Sequence, residues 1–167
     1  LLAGMGELHL EITTYRIEEE QNIKVKVSEP IVVYREAING DNVSRPFEGK
    51  SPNRHNRFYI EVEMLPLNVI DALRAGDFRD GTIRAKDQKE IGDQFAALGM
   101  DKDMMRKGYA INGTNVFING TKGIQGLHET RELLIEGFNE VCKSGPLAGE
   151  PAMGMLVRLT DAKLHED

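Results

Sequence analysis

From Glu7 to Glu20 the apolar residues Leu8, Ile12 and Tyr15 recur at i, i+4 and i+7, while Glu11, Glu18 and Glu19 fall elsewhere. That spacing predicts a helix with one apolar stripe. After Asn22 the period shortens to two: Ile23, Val25 and Val27 alternate with Lys24 and Lys26, which predicts a strand with one wet face. Pro30 cannot donate to a ladder and restricts the residue before it, so the pattern breaks there, and Ile31–Glu36 predicts a new strand. One helix and one strand cannot enclose a core. A domain boundary is therefore placed near Pro30, with residues 1–28 completing a domain whose other elements lie upstream and residues 29–167 forming a second domain.

In the second domain, Phe58, Ile60, Val62 and Met64 alternate with Tyr59, Glu61 and Glu63, a strand with one buried face. Pro66 suits a first helical turn, and Val69, Ile70 and Leu73 make a short apolar face before Gly76. Ile91, Phe95 and Leu98 mark another helix, ended by Gly99. Met100–Gly108 is charged and rich in methionine; it reads as a surface connection in which Met104 and Met105 pack. The triplets Asn112-Gly113-Thr114 and Asn119-Gly120-Thr121 match a glycosylation pattern, but without a leader they read as tight turns bracketing a short strand, Asn115–Ile118. Leu127, Leu134, Phe138 and Val141 share one face of a helix over Leu127–Lys143, stopped by Gly145 and Pro146. Met153, Met155, Val157 and Leu159 then predict a last strand. This order fits an α+β class: a split βαβ domain with helices packed on one face of a mixed sheet.

With 167 residues, 40% of them hydrophobic, the chain supports one ordinary core; a domain near this size buries roughly 68–70% of its unfolded surface. No run approaches the ~20 apolar residues needed to cross a bilayer, and the chain reads as soluble and cytoplasmic. The single cysteine, Cys142, excludes an internal disulfide and a thiolate zinc cluster, and its neighbours Phe138 and Val141 suggest a buried thiol. A net charge of −6 argues against a surface coated by nucleic acid, because phosphate affinity comes from Lys and Arg. It leaves room for a local basic tip.

Chemistry is sparse. No Gly-x-x-x-x-Gly-Lys-Ser/Thr cradles a phosphate and no Gly-x-Ser-x-Gly presents a nucleophile. His9 and Glu11 lie at i and i+2 and cannot share a metal from one helix. No catalytic, cofactor or metal residue is therefore expected. What stands out is Lys50–Arg57, with Lys50, Arg54, Arg57, one histidine and no acid, directly before a strand. Pro52 and two asparagines predict a turn presenting guanidinium and imidazole groups, which can hydrogen-bond phosphates and stack on bases. Three charges give a salt slope of only about −2 to −3, so such a tip needs delivery by something larger.

Several stretches resemble the translocating elongation factors of the ribosome. Gly4-Met5-Gly6-Glu7-Leu8-His9-Leu10-Glu11-Ile12 resembles the helix near the end of their third domain, and Val32-Val33-Tyr34-Arg35-Glu36 the opening strand of the fourth. Ser51-Pro52-Asn53-Arg54-His55-Asn56-Arg57, Thr121-Lys122-Gly123-Ile124-Gln125, Gly145-Pro146-Leu147-Ala148 and Asp161-Ala162-Lys163-Leu164-His165-Glu166-Asp167 are similar to the archaeal and eukaryotic branch, elongation factor 2. The bacterial branch lacks the Ser-Pro-Asn-Arg-His-Asn-Arg loop.

The resemblance implies a ferredoxin-like remnant over residues 1–28 and a ribosomal-protein-like fourth domain over 29–167. It also implies a GTPase parent using GTP and Mg in a domain outside this chain. The parent's partners would be the small-subunit decoding region, tRNA and mRNA. Two loops would share the RNA-facing tip: Ser51, Asn53, Arg54, His55, Asn56 and Arg57 on one, and His165, Glu166 and Asp167 on the other. The second loop is expected to continue into a His-Arg-Gly whose histidine becomes diphthamide, so His165 is not the modified residue. Two other readings fit the residues alone: a stand-alone RNA-binding module of similar fold, and an enzyme using His55 and His165.

Overall fold

The computed structural model describes residues 1–40 and 44–165. The chain divides into two compact units, Leu1–Val33 and Tyr34–Asp167.

In the first unit, α1 spans Glu7–Gln21 and ends at Asn22, whose φ of 51° is left-handed. His9 Nδ1 accepts the Met5 N–H at 3.2 Å, tying the residue ahead of the helix to its first turn. The strand expected over 23–27 is absent. A strand exists only through its ladder, and among the described residues of this unit no second strand offers one. The strand expected over Ile31–Glu36 likewise shrinks to one residue, Glu36, bridging Ala152 in parallel. Ile31, Val32 and Val33 are exposed; only the Glu36 backbone reaches a partner, donating to the Pro151 carbonyl at 3.0 Å and accepting from the Met153 N–H at 2.8 Å.

The second unit holds β1 (Phe47–Lys50), β2 (Arg57–Met64), α2 (Leu67–Ala75), β3 (Gly81–Thr82), α3 (Gln88–Ala97), α4 (Lys102–Met105), β4 (Gly108–Asn112), β5 (Asn115–Asn119), α5 (Leu127–Lys143) and β6 (Met155–Lys163). One six-stranded sheet runs in the order β1-β2-β6-β5-β4-β3. Only β5 and β6 are parallel neighbours, joined by α5 as the crossover. β2 and β4 also run the same way, with β6 and β5 between them. The mixed sheet and the split βαβ arrangement are as expected; the distribution of the helices is not. Val116, Ile118, Ile111 and Leu156 pack with Val69, Ile70 and Leu73 of α2, Phe95 of α3 and Met105 of α4. Phe117, Ala110 and Leu159 pack with Leu127, Ile135 and Phe138 of α5. Successive residues of β5 join different clusters, and successive strand residues point to opposite faces, so helices cover both faces where the sequence pattern suggests one.

Two-sided burial explains the remaining differences. A strand covered on both faces reads as a continuous apolar run. Met155 and Leu156 are thus both buried, and β6 starts later and extends further than alternation over 153–159 indicates. α4 replaces the expected surface connection: Asp101 caps it by accepting the Met104 N–H at 2.7 Å, and Met105 is wholly buried. Phe117 stacks on Phe138 and meets the Tyr109 ring edge-on. Cys142 is buried as expected, and burial pushes its thiol up to about 12.

Two polar residues tie the connections together. Asn115, 2% exposed, donates to the carbonyls of Asn112 at 3.1 Å and Ala152 at 2.9 Å, and accepts the Met155 N–H at 3.1 Å. The Glu36 carboxylate accepts N–H groups of Leu147, Ala148 and Glu150 at 3.0, 2.8 and 3.2 Å. These bonds hold its pKa below the ordinary value. Of the two Asn-Gly-Thr triplets only the first is a tight turn; the second ends β5, and the Gly120 N–H donates to the Leu159 carbonyl at 2.8 Å, prolonging the pairing with β6. Gly113 lies at φ +56°, whereas Gly120 sits where a Cβ would lie 2.9 Å from the Leu159 carbonyl oxygen.

Candidate nucleic-acid interface

The turn between β1 and β2 is narrower than the charge pattern suggests, because Lys50 and Arg57 are already paired strand residues. The six residues between them are organised by three polar side chains. Ser51 Oγ and the Asn53 carboxamide oxygen are 2.5 Å apart. The same Asn53 oxygen accepts the His55 N–H at 3.2 Å, and Ser51 Oγ accepts the Asn56 N–H at 3.1 Å. The Arg54 N–H closes a turn on the Ser51 carbonyl at 2.8 Å, with Pro52 supplying a fixed φ at its second position. Arg54 itself sits at φ 61°, one of two non-glycine residues in the left-handed region among those described. A side chain there costs about 1 kcal/mol or more. The strained residue is thus the one at the apex, exposed, and among the described residues no acid pairs with it.

No acid stands within the loop, which predicts that its charge is left open, but a neighbouring strand supplies one. Glu48 on β1 lies 3.2 Å from Arg57 Nη1 and 3.6 Å from Lys50 Nζ, and accepts a hydrogen bond from the Tyr59 hydroxyl at 3.4 Å. Register explains why. Lys50, Arg57 and Lys163 are directly opposed across three neighbouring strands and form a cationic row; behind them Glu48, Tyr59 and Asp161 form a second row. Like charges directly opposed destabilise a sheet, and Glu48 offsets that repulsion. β1 is missed from sequence because its four residues are all exposed and include a glycine. The available signal is the polar pair Glu48 and Lys50 mirrored across the turn by Arg57 and Tyr59. Lys163 also lies 6.0 Å above the Tyr59 ring.

Of the second predicted loop, His165 is brought to the first. Its N–H donates to Asn56 Oδ1 at 2.9 Å, and its ring centroid is 5.2 Å from that of His55, tilted by 48°. Glu166 and Asp167 lie outside the described residues. Arg54, His55 and His165 are exposed, while Ser51 and Asn56 are half-buried, so the latter two build the loop more than they present it. Among the described residues no group of three or more His, Cys, Asp or Glu is placed to hold a metal, and no helix is long and apolar enough to cross a membrane.

The family model described as elongation factor G, domain IV matches residues 79–167. Elongation factor 2 of Thermoplasma volcanium and of Picrophilus torridus are each 52% identical over all 167 residues, and that of Pyrococcus horikoshii is 50% identical over the same span. The chain spans 22% of the length of each of these relatives. On this match, which the mixed six-stranded sheet fits, the chain belongs to the elongation factor G domain IV family, with relatives in archaeal elongation factor 2.

Proposed function

We propose that this chain is the part of a cytoplasmic translocating elongation factor that reaches the small-subunit decoding region, where its tip bears on tRNA and mRNA. Residues 1–28 are assigned to the preceding domain. GTP and Mg belong to the parent's nucleotide-binding domain, since no stretch of this chain has the spacing to cradle a nucleotide. One observation carries the reading: the hairpin spends its polar groups on holding Arg54 and His55 outward, beside His165, in front of a cationic row. Arg54 suits a phosphate, which a guanidinium can grip through two parallel hydrogen bonds. His55 and His165 suit sugar edges or stacking on an unpaired base. Such contacts position without reading sequence, as required of a device that every codon passes. Asn53 and Arg57 complete the tip, Ser51 and Asn56 hold its shape, and Glu166 and Asp167 follow His165 in sequence. The stand-alone module is not favoured, because identity to elongation factor 2 runs along the whole chain.

The test uses the full-length factor on ribosomes. Replacing Arg54 and His55 together by Ala removes a charge-assisted contact worth about 1.5–3 kcal/mol, so single-round translocation slows roughly ten- to hundred-fold. Ribosome-stimulated GTP hydrolysis stays within about two-fold, well inside the ~1.4 kcal/mol that a tenfold change requires. Equal loss of both activities, or of neither, overturns the proposal.

A further inference from the structure

The ladder between β2 and β6 ends at the Arg57–Lys163 pair, yet the chain is still held two residues later. There the His165 N–H donates to Asn56 Oδ1. A backbone N–H only donates, so the acceptor must be the amide oxygen, which sets the orientation of the Asn56 side chain. Asn56 is anchored in turn: its N–H goes to Ser51 Oγ, and its carbonyl accepts the Ser51 N–H at 3.0 Å. The Asn56 amide is therefore an additional rung beyond the last ladder pair, made by a side chain. The residue it holds is the one whose ring lies beside the His55 ring.

Half-buried and with its oxygen committed to protein, Asn56 is poorly placed to touch nucleic acid. We infer that Asn56 is a positioning residue: it pins the exit of the chain from β6 against the hairpin, so that His165 and His55 present one surface. The inference rests on the proposed function above and moves Asn56 from the RNA contact expected of it by sequence to aligning the residues that make such contacts.

Two substitutions in the full-length factor separate these roles. Asn56→Ala removes the acceptor; Asn56→Asp keeps an oxygen at the same place and adds a negative charge. Hydrogen exchange of the segment through His165 and single-round translocation at saturating factor are measured together. For N56A, loss of one partly exposed hydrogen bond predicts exchange about five-fold faster and translocation slower by a similar factor. GTP hydrolysis and the factor concentration giving half-maximal rate stay unchanged. For N56D, exchange and rate stay within about two-fold of the parent, because the acceptor is retained. Unchanged exchange in N56A overturns the inference. So does N56D being slower than N56A, since a carboxylate facing phosphate is repelled and direct contact would then be the role. Failure of the tip reading itself appears separately, as normal translocation in the Arg54/His55 double variant.

Discussion

The centre of the sheet and its hairpin arm are built on opposite plans. In β4, β5 and the first half of β6, both faces are covered by helices and stacked aromatic rings fill the space. In β1 and the far half of β2 no residue is fully buried; order comes from cross-strand pairing and from the Ser51, Asn53 and Asn56 bonds. The centre spends its residues on stability and the arm on presentation. Substitutions should divide accordingly, with large stability losses at the centre and functional losses at near-constant stability on the arm.

The sharpest break is expected at Phe117. Truncation to Ala removes a ring that is 1% exposed and contacts two others, and should cost about 3–5 kcal/mol in chemical denaturation. A loss below about 1 kcal/mol would mean that the centre repacks and the contrast is overdrawn. Asn115→Leu comes next. It leaves two carbonyls and one N–H without their partners in a buried site, and a loss of about 2–4 kcal/mol is expected from the same measurement, less if water replaces the side chain.

Glu36→Gln tests a join outside both regions and has a distinct pH signature. The Glu36 pKa lies below the ordinary 4.5 because three N–H groups favour the carboxylate. The stability it contributes is thus present above the unfolded-state value and is lost as pH falls through the folded one. E36Q should melt below the parent at neutral pH, with the gap closing below about pH 4. A gap that persists unchanged in acid would assign the effect to shape rather than charge. The smallest effect is of opposite sign. Arg54→Gly relieves the left-handed strain at the apex and should leave stability equal or raise it by about 0.5–1 kcal/mol, while translocation slows as in the alanine variants. Destabilisation by R54G would place the arginine among the arm's structural residues and blur the comparison.

What could be read from sequence follows the same division. The extent of α5 was legible because Gly145 and Pro146 end it, but its buried face is turned slightly from the one read: Ile135 and Cys142 are buried, whereas Val141 is exposed. β2 and β5 were legible from alternation and flanking turns. β4 was not, since Tyr109, Ala110 and Ile111 are all buried and show no period of two. The pattern over 23–27 alternates well yet forms no strand, because periodicity describes a face and says nothing of a partner. At the site, the composition of Ser51–Arg57 marked the loop, whereas its neutralising Glu48 and its tie to His165 come from register and from contacts over a hundred residues apart. Those are properties of pairing, which one sequence leaves unstated.

The two Asn-Gly-Thr triplets, identical on paper, carry different tolerances. At position 113 the demand is a torsion, which Asn or Asp can meet at modest cost. At position 120 the demand is empty space beside the Leu159 carbonyl, and no side chain of any kind supplies that. Among variants, the first glycine should drift to other turn-formers, and the second should stay a glycine or take its neighbouring strand out of register with it.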